Sequence, residues 1–307
     1  MHYTGDRDDA PLDLLPARHL VADYKYERAT VVDSHGCTGR CNFCALWKAA
    51  RGKYHQRPLE AVVADIESVP GRRILLADDN TFEDVERVTQ LAKMLRERGI
   101  DKEYQGYART DTIAKYPDLF RQWRDLGLRE LVVGVESDND DDLRSVHKGN
   151  SIANNEAAAR ILQELGIRNW AHILLRADFT VSDYRRIGRF TERLGLRTPI
   201  FLPLTPLPGT DLYEQVKDDI AVTDLDYYNF EYPVMRLALP LCIVCDETRR
   251  LWFGAYSYWR YLRMALRGQL PWRALPWHLL VAWHMRRCVR KVLRKWALLE
   301  EASDGEG

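Results

Sequence analysis

The sequence predicts an α/β fold: a parallel sheet curled into a full or partial barrel, its crossover helices outside, with a helical extension behind it. Three observations predict this. Strand-like apolar runs and helix-like amphipathic stretches alternate six times from Ala29 onward, the pattern of a parallel sheet with right-handed crossovers. Each strand-like run ends in polar or glycine-proline residues, as expected where loops at the carboxyl ends of barrel strands carry chemistry. At 307 residues, 46% hydrophobic and 29% charged, the chain has room for one large core with an appendage and does not have the composition of a disordered chain.

The predicted strands are Thr30–Val32, Arg73–Ala77, Glu103–Tyr107, Glu130–Val135, Asn169–Leu175 and Pro199–Leu204. Between them, Pro58–Ser68 opens with a proline, which a first helical turn accepts, and Glu83–Arg98 sets Val85, Val88, Leu91, Ala92 and Leu95 on one face. Ser151–Leu165 and Ser182–Leu194 are each closed by a glycine, Gly166 and Gly195, where a helix end favours one. The loops that follow the strands are the cysteine loop, Asp78–Phe82, Arg109–Asp111, Glu136–Ser137, Arg176–Asp178 and Thr205–Thr210. Each alone is an ordinary polar loop; six together at one rim form a ligand site.

The first of these loops, Ser34–Cys44, holds Cys37, Cys41 and Cys44 in C-x3-C-x2-C spacing. Three thiolates from one short loop hold three irons of a 4Fe–4S cubane and leave the fourth without a protein ligand. A structural zinc site with His35 as fourth ligand competes, but such sites pair two separated knuckles. Chance clustering of buried thiols fits poorly in a loop rich in Gly, Thr, Arg and Asn.

This spacing, with Phe43 directly before the last cysteine, resembles the radical S-adenosylmethionine (SAM) superfamily. Four phrases carry a closer resemblance: Leu76–Phe82, Tyr107–Ile113, Val133–Ser137 and Leu204–Leu212. They look most like the catalytic half of cobalamin-associated members, the group of hopanoid C-3 methylases and the anaerobic cyclase of bacteriochlorophyll synthesis. The resemblance implies a partial (β/α)6 TIM-like barrel, a 4Fe–4S cluster on Cys37, Cys41 and Cys44, and reductive cleavage of SAM to a 5′-deoxyadenosyl radical. It further implies that Asp78, Asp79 and Asn80 meet the SAM amino group, that Arg109 lies near its carboxylate and that Glu136 reaches the ribose, with Phe43 and Pro208 also in the cofactor site. A carboxylate or amide oxygen accepts from an ammonium, and a guanidinium forks onto a carboxylate. A reducing partner such as a flavodoxin or ferredoxin is implied too.

Three departures from the resemblance stand out. Ala77-Asp78-Asp79 replaces a Gly-Gly-Glu, and His172–Arg176 replaces a glycine-rich fifth strand. Cobalamin is unsupported by a domain in this chain, because residues 1–29 are too few to build one; yet Leu14–His19 looks like the linker that follows such a domain, which was either lost or is supplied by another chain.

The expected division is an arm at 1–29, the barrel at 30–235 and a helical basic and aromatic extension at 236–307. Net charge is zero, yet residues 249–299 hold twelve Lys and Arg, six Trp and no acid. That composition suits an interfacial helix pair on anionic lipid equally with a helical cap over the open side of the barrel. Nucleic acid is disfavoured, since the rest of the chain is acidic and carries no recognised module. Cys242, Cys245 and Cys288 lack an evident fourth ligand for a second cluster and read as apolar helix positions; His172 reads as a packed residue, and His147 and Lys148 as substrate contacts.

Met1–Asp13 is polar and carries Asp6, Asp8 and Asp9, with no apolar stretch of a signal peptide. With that and the reduced cysteines, the expectation is a cytoplasmic protein, peripheral on the inner membrane face if the extension binds lipid. The expected function is hydrogen abstraction by a radical SAM enzyme from an unactivated C–H of a small-molecule substrate, a lipid or specialised metabolite. The alternatives are cobalamin-assisted C-methylation with a partner subunit, or a metal-binding scaffold tethered by its tail.

Overall fold

Six strand–helix units follow one another in the computed structural model, which describes residues 14–21 and 26–304. They are β1 (Ala29–Val31), α1 (Leu59–Ser68), β2 (Arg73–Leu76), α2 (Val85–Glu97), β3 (Glu103–Arg109), α3 (Pro117–Leu126), β4 (Leu128–Glu136), α4 (Ile152–Leu165), β5 (Arg168–Leu175), α5 (Val181–Arg193), β6 (Thr198–Pro203) and α6 (Asp211–Val216). The sheet order is the sequence order, every adjacent pair is parallel, and β1 does not pair with β6. The barrel is therefore partial. Met1–Asp13, with Asp6, Asp8 and Asp9, lies outside the described residues, as do Tyr24 and Lys25 of the arm.

Alternation along the strands sorts side chains between helices and lumen. On β5, Ala171, Ile173 and Leu175 are buried in the core, so Trp170, His172 and Leu174 face the lumen. On β6, Phe201 meets Trp252 outside the sheet, so Ile200 and Leu202 face inward. β3 and β4 run to Arg109 and Glu136, beyond the ends expected from the sequence, because Arg109 stays in register with Gly134. α3, which the apolar pattern did not bound, buries Trp123 edge-on against Phe82 and Tyr104, and the Trp123 indole N–H donates to the Val88 carbonyl at 3.1 Å.

Three helices follow, α7 (Leu241–Ala255), α8 (Tyr258–Leu266) and α9 (Leu275–Asp304). They pack along the barrel beside the unpaired strand β6, with α8 and the start of α9 at the amino ends of β5 and β6, and Trp296 of α9 beside Leu175 and Leu204 at the carboxyl ends. α7 packs on α5 and β6, with Trp252 edge-on to Phe201 at 5.3 Å. The Tyr256 hydroxyl donates to the Pro199 carbonyl at 2.9 Å, and the Tyr261 hydroxyl to the Arg197 carbonyl at 2.6 Å. Trp277, near the start of α9, sits against Trp170 at the amino end of β5. Cys245 packs on this core while Cys242 is exposed, and Cys288 lies 3.4 Å from His284 Nε2.

Trp252 is the anchor between extension and barrel. Trp252→Ala is expected to lower stability by about 3–5 kcal/mol, read as the urea midpoint of the metal-free protein. A loss under about 1 kcal/mol would mean that the extension is detachable.

Candidate active site

The cysteine loop leaves β1, pairs briefly through Ser34–His35 with His55–Gln56 in a two-stranded antiparallel ladder, and takes further acceptors from the loop after β2. Asp78 Oδ1 accepts from the Asp33 and Ser34 amides at 2.7 and 2.8 Å. Asp79 Oδ2 accepts from the Gly36 amide at 2.7 Å and lies 3.3 Å from His35 Nδ1. Glu83 accepts from the Thr38 amide and hydroxyl, from Asn80 Nδ2, and from the Cys37 thiol at 3.5 Å. Gly36 has φ +96°, and a Cβ there would stand 2.1 Å from the Lys53 carbonyl. Only glycine fits that turn.

The far end of the loop is tied to the opposite rim. The Asn42 amide donates to the Val146 carbonyl at 3.1 Å, and the Asn42 carbonyl accepts from the Leu212 amide at 2.9 Å. Asn42 Nδ2 donates to the Ser145 carbonyl and to Gln215 Oε1 at 3.0 and 3.2 Å. Phe43 packs against Val146, Leu204 and Leu212. The loop thus spans the mouth from β1 to the segments that follow β4 and β6.

Cys41 is buried, and Cys37 and Cys44 are partly so. Burial, then the neighbouring Glu83 carboxylate, push the Cys37 thiol up to about 11, and burial raises Cys44. Loading metal on these thiols releases their protons. Among the described residues no three Cys, His, Asp or Glu side chains gather as a single ion requires. His35 is half exposed and turned to Asp79, which removes the fourth ligand of the zinc alternative. Three thiols of one loop, with the Gly39 amide donating to Cys37 Sγ at 3.3 Å, fit an iron–sulfur cubane, whose sulfurs take such hydrogen bonds.

Cations face this loop from the end of β3 and from the segment between β4 and α4. Arg109 grips Asp111 with two nitrogens at 3.0 and 2.9 Å and donates to the Lys148 carbonyl at 2.7 Å. A Cβ on Gly39 would lie 3.2 Å from its Nη1, so the guanidinium borders the cysteine loop. Glu136 has φ +63° beside a register shift in the β4–β5 ladder, and its Oε1 meets Lys148 Nζ at 2.7 Å with both side chains buried. Burial opposes the Lys148 charge, but attraction to Glu136 and the nearby Cys41 raises its pKa overall. Burial lowers His172, so its imidazole is neutral near pH 7. Asp78 Oδ2 and Asn80 Oδ1 are buried acceptors with no partner, a set that suits an incoming ammonium.

The candidate residues therefore fall into three groups. Cys37, Cys41, Cys44, Phe43, Asp78, Asp79 and Asn80 lie in or against the cysteine loop, with Arg109 on its border. Glu136 is joined to Lys148, and Pro208 stands exposed in the loop after β6. Sequence reasoning passed over Glu83 and Asn42 as loop anchors. The available signal for Glu83 was three acids within six residues, facing a loop full of amide donors.

A Cβ on Gly134 would come within 2.3 Å of Glu136 Oε1 and 2.5 Å of Lys148 Nζ; Gly134→Ala is expected to keep iron content and weaken SAM binding at least tenfold, measured by equilibrium dialysis. Burial first, with the Asp33 charge, raises Asp78 from 3.8 to about 6, against the hydrogen bonds from the Ser34 and Asp33 amides. Its contribution to stability is full below pH 3.8 and is lost as pH rises through about 6. Asp78→Asn is expected to flatten that fall in urea midpoints of the metal-free protein between those two pH values.

The sequence matches the Radical SAM superfamily over residues 31–191. It is 24% identical over 266 residues to the hopanoid C-3 methylase of Methylococcus capsulatus, covering 82% of this chain and 51% of that protein. It is 26% identical to the anaerobic magnesium-protoporphyrin IX monomethyl ester cyclase of Cereibacter sphaeroides, covering 78% and 39%. The chain spans about half or less of these two relatives. Its fold is similar to that of the cobalamin-dependent SAM radical enzyme OxsB, solved with aqua-cobalamin and SAM, at TM-score 0.59 and 15% identity over 91% of this chain and 55% of that one. It is also similar to the radical SAM methyltransferase TsrM of Kitasatospora setae, at TM-score 0.55 and 19% identity over 62% and 37%.

Proposed function

The chain belongs to the radical SAM superfamily, and from that premise we propose that it removes hydrogen from an unactivated C–H of a lipid or specialised metabolite held in the barrel lumen. A 4Fe–4S cluster, when bound by Cys37, Cys41 and Cys44, supplies the electron that splits SAM into methionine and a 5′-deoxyadenosyl radical. The observation that carries this reading is the three-thiol loop pinned across the mouth of the barrel with Arg109 at its border and the Glu136–Lys148 pair buried beyond.

The chain's own residues then divide the work. Asp78 Oδ2 and Asn80 Oδ1 receive the SAM ammonium; Asp78 Oδ1 and Asp79 hold the loop that aims the thiols. Arg109 lies toward the carboxylate, and Glu136, fixed in place by Lys148, accepts from the ribose hydroxyls. Phe43 fills the loop's apolar underside, and Pro208 shapes the rim. On the β5–β6 side Leu174, Ile200 and Leu202 offer an apolar wall with neutral His172 among them, which favours an apolar substrate and keeps water from the radical. Residues 30–235 are the catalytic unit and 236–307 an appendage to it. A cytoplasmic flavodoxin or ferredoxin delivers the electron, and residues 249–299 make peripheral membrane contact.

A second reading is favoured by the likeness to OxsB and to the hopanoid methylase. In it, cobalamin supplied by a partner subunit takes part, and the outcome is C-methylation.

Reconstituted with iron and sulfide and reduced without oxygen, the wild type is expected to give a paramagnetic cluster signal and 5′-deoxyadenosine, and Cys41→Ala neither. One bound zinc with intact SAM would return the chain to a scaffold role. With methylcobalamin added, S-adenosylhomocysteine together with a methylated product would select the second reading; 5′-deoxyadenosine alone would select the first.

A further inference from the structure

The six tryptophans of the extension differ in burial, with Trp277 between the extremes. Trp252 and Trp296 are buried, whereas Trp259, Trp272 and Trp283 are 74%, 57% and 50% exposed, and Leu266 and Leu280 accompany them at 68% and 63%. Trp259 and Leu266 are seven residues apart on α8, and Leu280 and Trp283 three apart on α9, so each pair forms a stripe on one helix face. α8 and α9 pack on each other, with the Trp272–Ala274 turn between them in the chain.

The surroundings of these stripes are cationic. Arg263, on the same helix as Trp259, and Arg267, just past its end, line a cavity of about 490 Å3 together with Arg160 and Arg193, where Glu156 and Glu192 also lie. Arg287 stands over the Trp283 ring. Indoles at headgroup depth with arginines between them suit an anionic bilayer surface. A second copy of the chain would bring arginines against arginines. No helix among the described residues is long and apolar enough to cross a membrane.

We propose that this surface docks on anionic lipid and holds the barrel by the amino end of its strands, so that the mouth points away from the bilayer into water. The orientation follows from two contacts. The Tyr261 hydroxyl on the Arg197 carbonyl and Trp277 on Trp170 fix α8 and the start of α9 at the amino ends of β5 and β6. The cysteine loop lies at the carboxyl ends, roughly 25 Å away along a strand the length of β5. The proposal rests on the peripheral-contact reading of residues 249–299 and is independent of the radical chemistry. It requires that SAM, electrons and substrate all reach the mouth from the aqueous side.

Full-length reconstituted enzyme is floated with phosphatidylcholine vesicles and with phosphatidylcholine–phosphatidylglycerol vesicles, and 5′-deoxyadenosine formation driven by a soluble flavodoxin is measured on the bound fraction. Expected are flotation with the anionic vesicles alone, a drop of about tenfold or more for Arg263→Glu/Arg267→Glu, a comparable drop for Trp259→Ala/Trp283→Ala, and unchanged turnover on the vesicle. Flotation with neither vesicle ends the membrane reading, and 5′-deoxyadenosine formation in the same sample would still leave the radical reading standing. Flotation indifferent to both double variants moves the contact elsewhere. Strong flotation with turnover suppressed on vesicles means that the mouth faces the lipid, and overturns the orientation.

Discussion

The structure depends on one constraint: a cysteine loop that pairs with no strand of the main sheet beyond β1 must still satisfy its buried amides. The chain does this with carboxylates. Asp78, Asp79 and Glu83 accept from Asp33, Ser34, Gly36 and Thr38, and charge-assisted bonds of this kind are roughly twice as strong as neutral ones. Gathering carboxylates here has an electrostatic consequence, since negative charge beside Cys37 opposes a thiolate. Arg109 and Lys148 work against it from the other side, drawn by the sulfurs they face.

A second tension sits at the end of β4. A non-glycine residue at positive φ costs of order 1–3 kcal/mol, and Glu136 takes that conformation where the ladder slips a register. A buried ion pair is weak evidence for stability, so the Lys148 contact is better understood as fixing the direction of the carboxylate than as holding the fold together. Gly134 is part of the same arrangement, because it leaves room for both ends of the pair. Strain, bulge, glycine and lysine together aim one carboxylate into the lumen.

Most of the barrel was legible because its signals are local. Period-2 and period-3.6 patterns placed the strands to within a few residues, and Gly166 closes α4 in the left-handed conformation expected of it. The C-x3-C-x2-C spacing marked the loop, and the strand-end rule gathered Asp78, Arg109 and Glu136 at one rim. What the sequence hid is pairwise. Nothing in the text says that Asp78 turns one oxygen to the Asp33 amide, forty-five residues back, that Asn42 clasps the segment after β6, or that Lys148 reaches Glu136. Those partners are set by how the loops converge in three dimensions, and residue type alone leaves each with many. The direction of the extension was hidden for the same reason: helical spacing shows which face is apolar but not which part of the barrel receives it.

The partial barrel also explains why an extension is needed at all. A sheet that does not close leaves β6 as an edge, and an uncovered apolar edge invites association with other chains. α7 covers the outer face of β6 with Trp252 and Tyr256, and Trp277 lies against Trp170 at the amino end of β5. Once those contacts are made, covering the edge gives no reason to expose Trp259, Trp272 and Trp283, because an indole left in water adds nothing to the core it fails to join. Folding therefore accounts for the buried half of the extension's aromatics and leaves the exposed half unexplained. Their company of arginines, with no acid between residues 249 and 299, points that half outward, to a charged surface the chain does not itself contain.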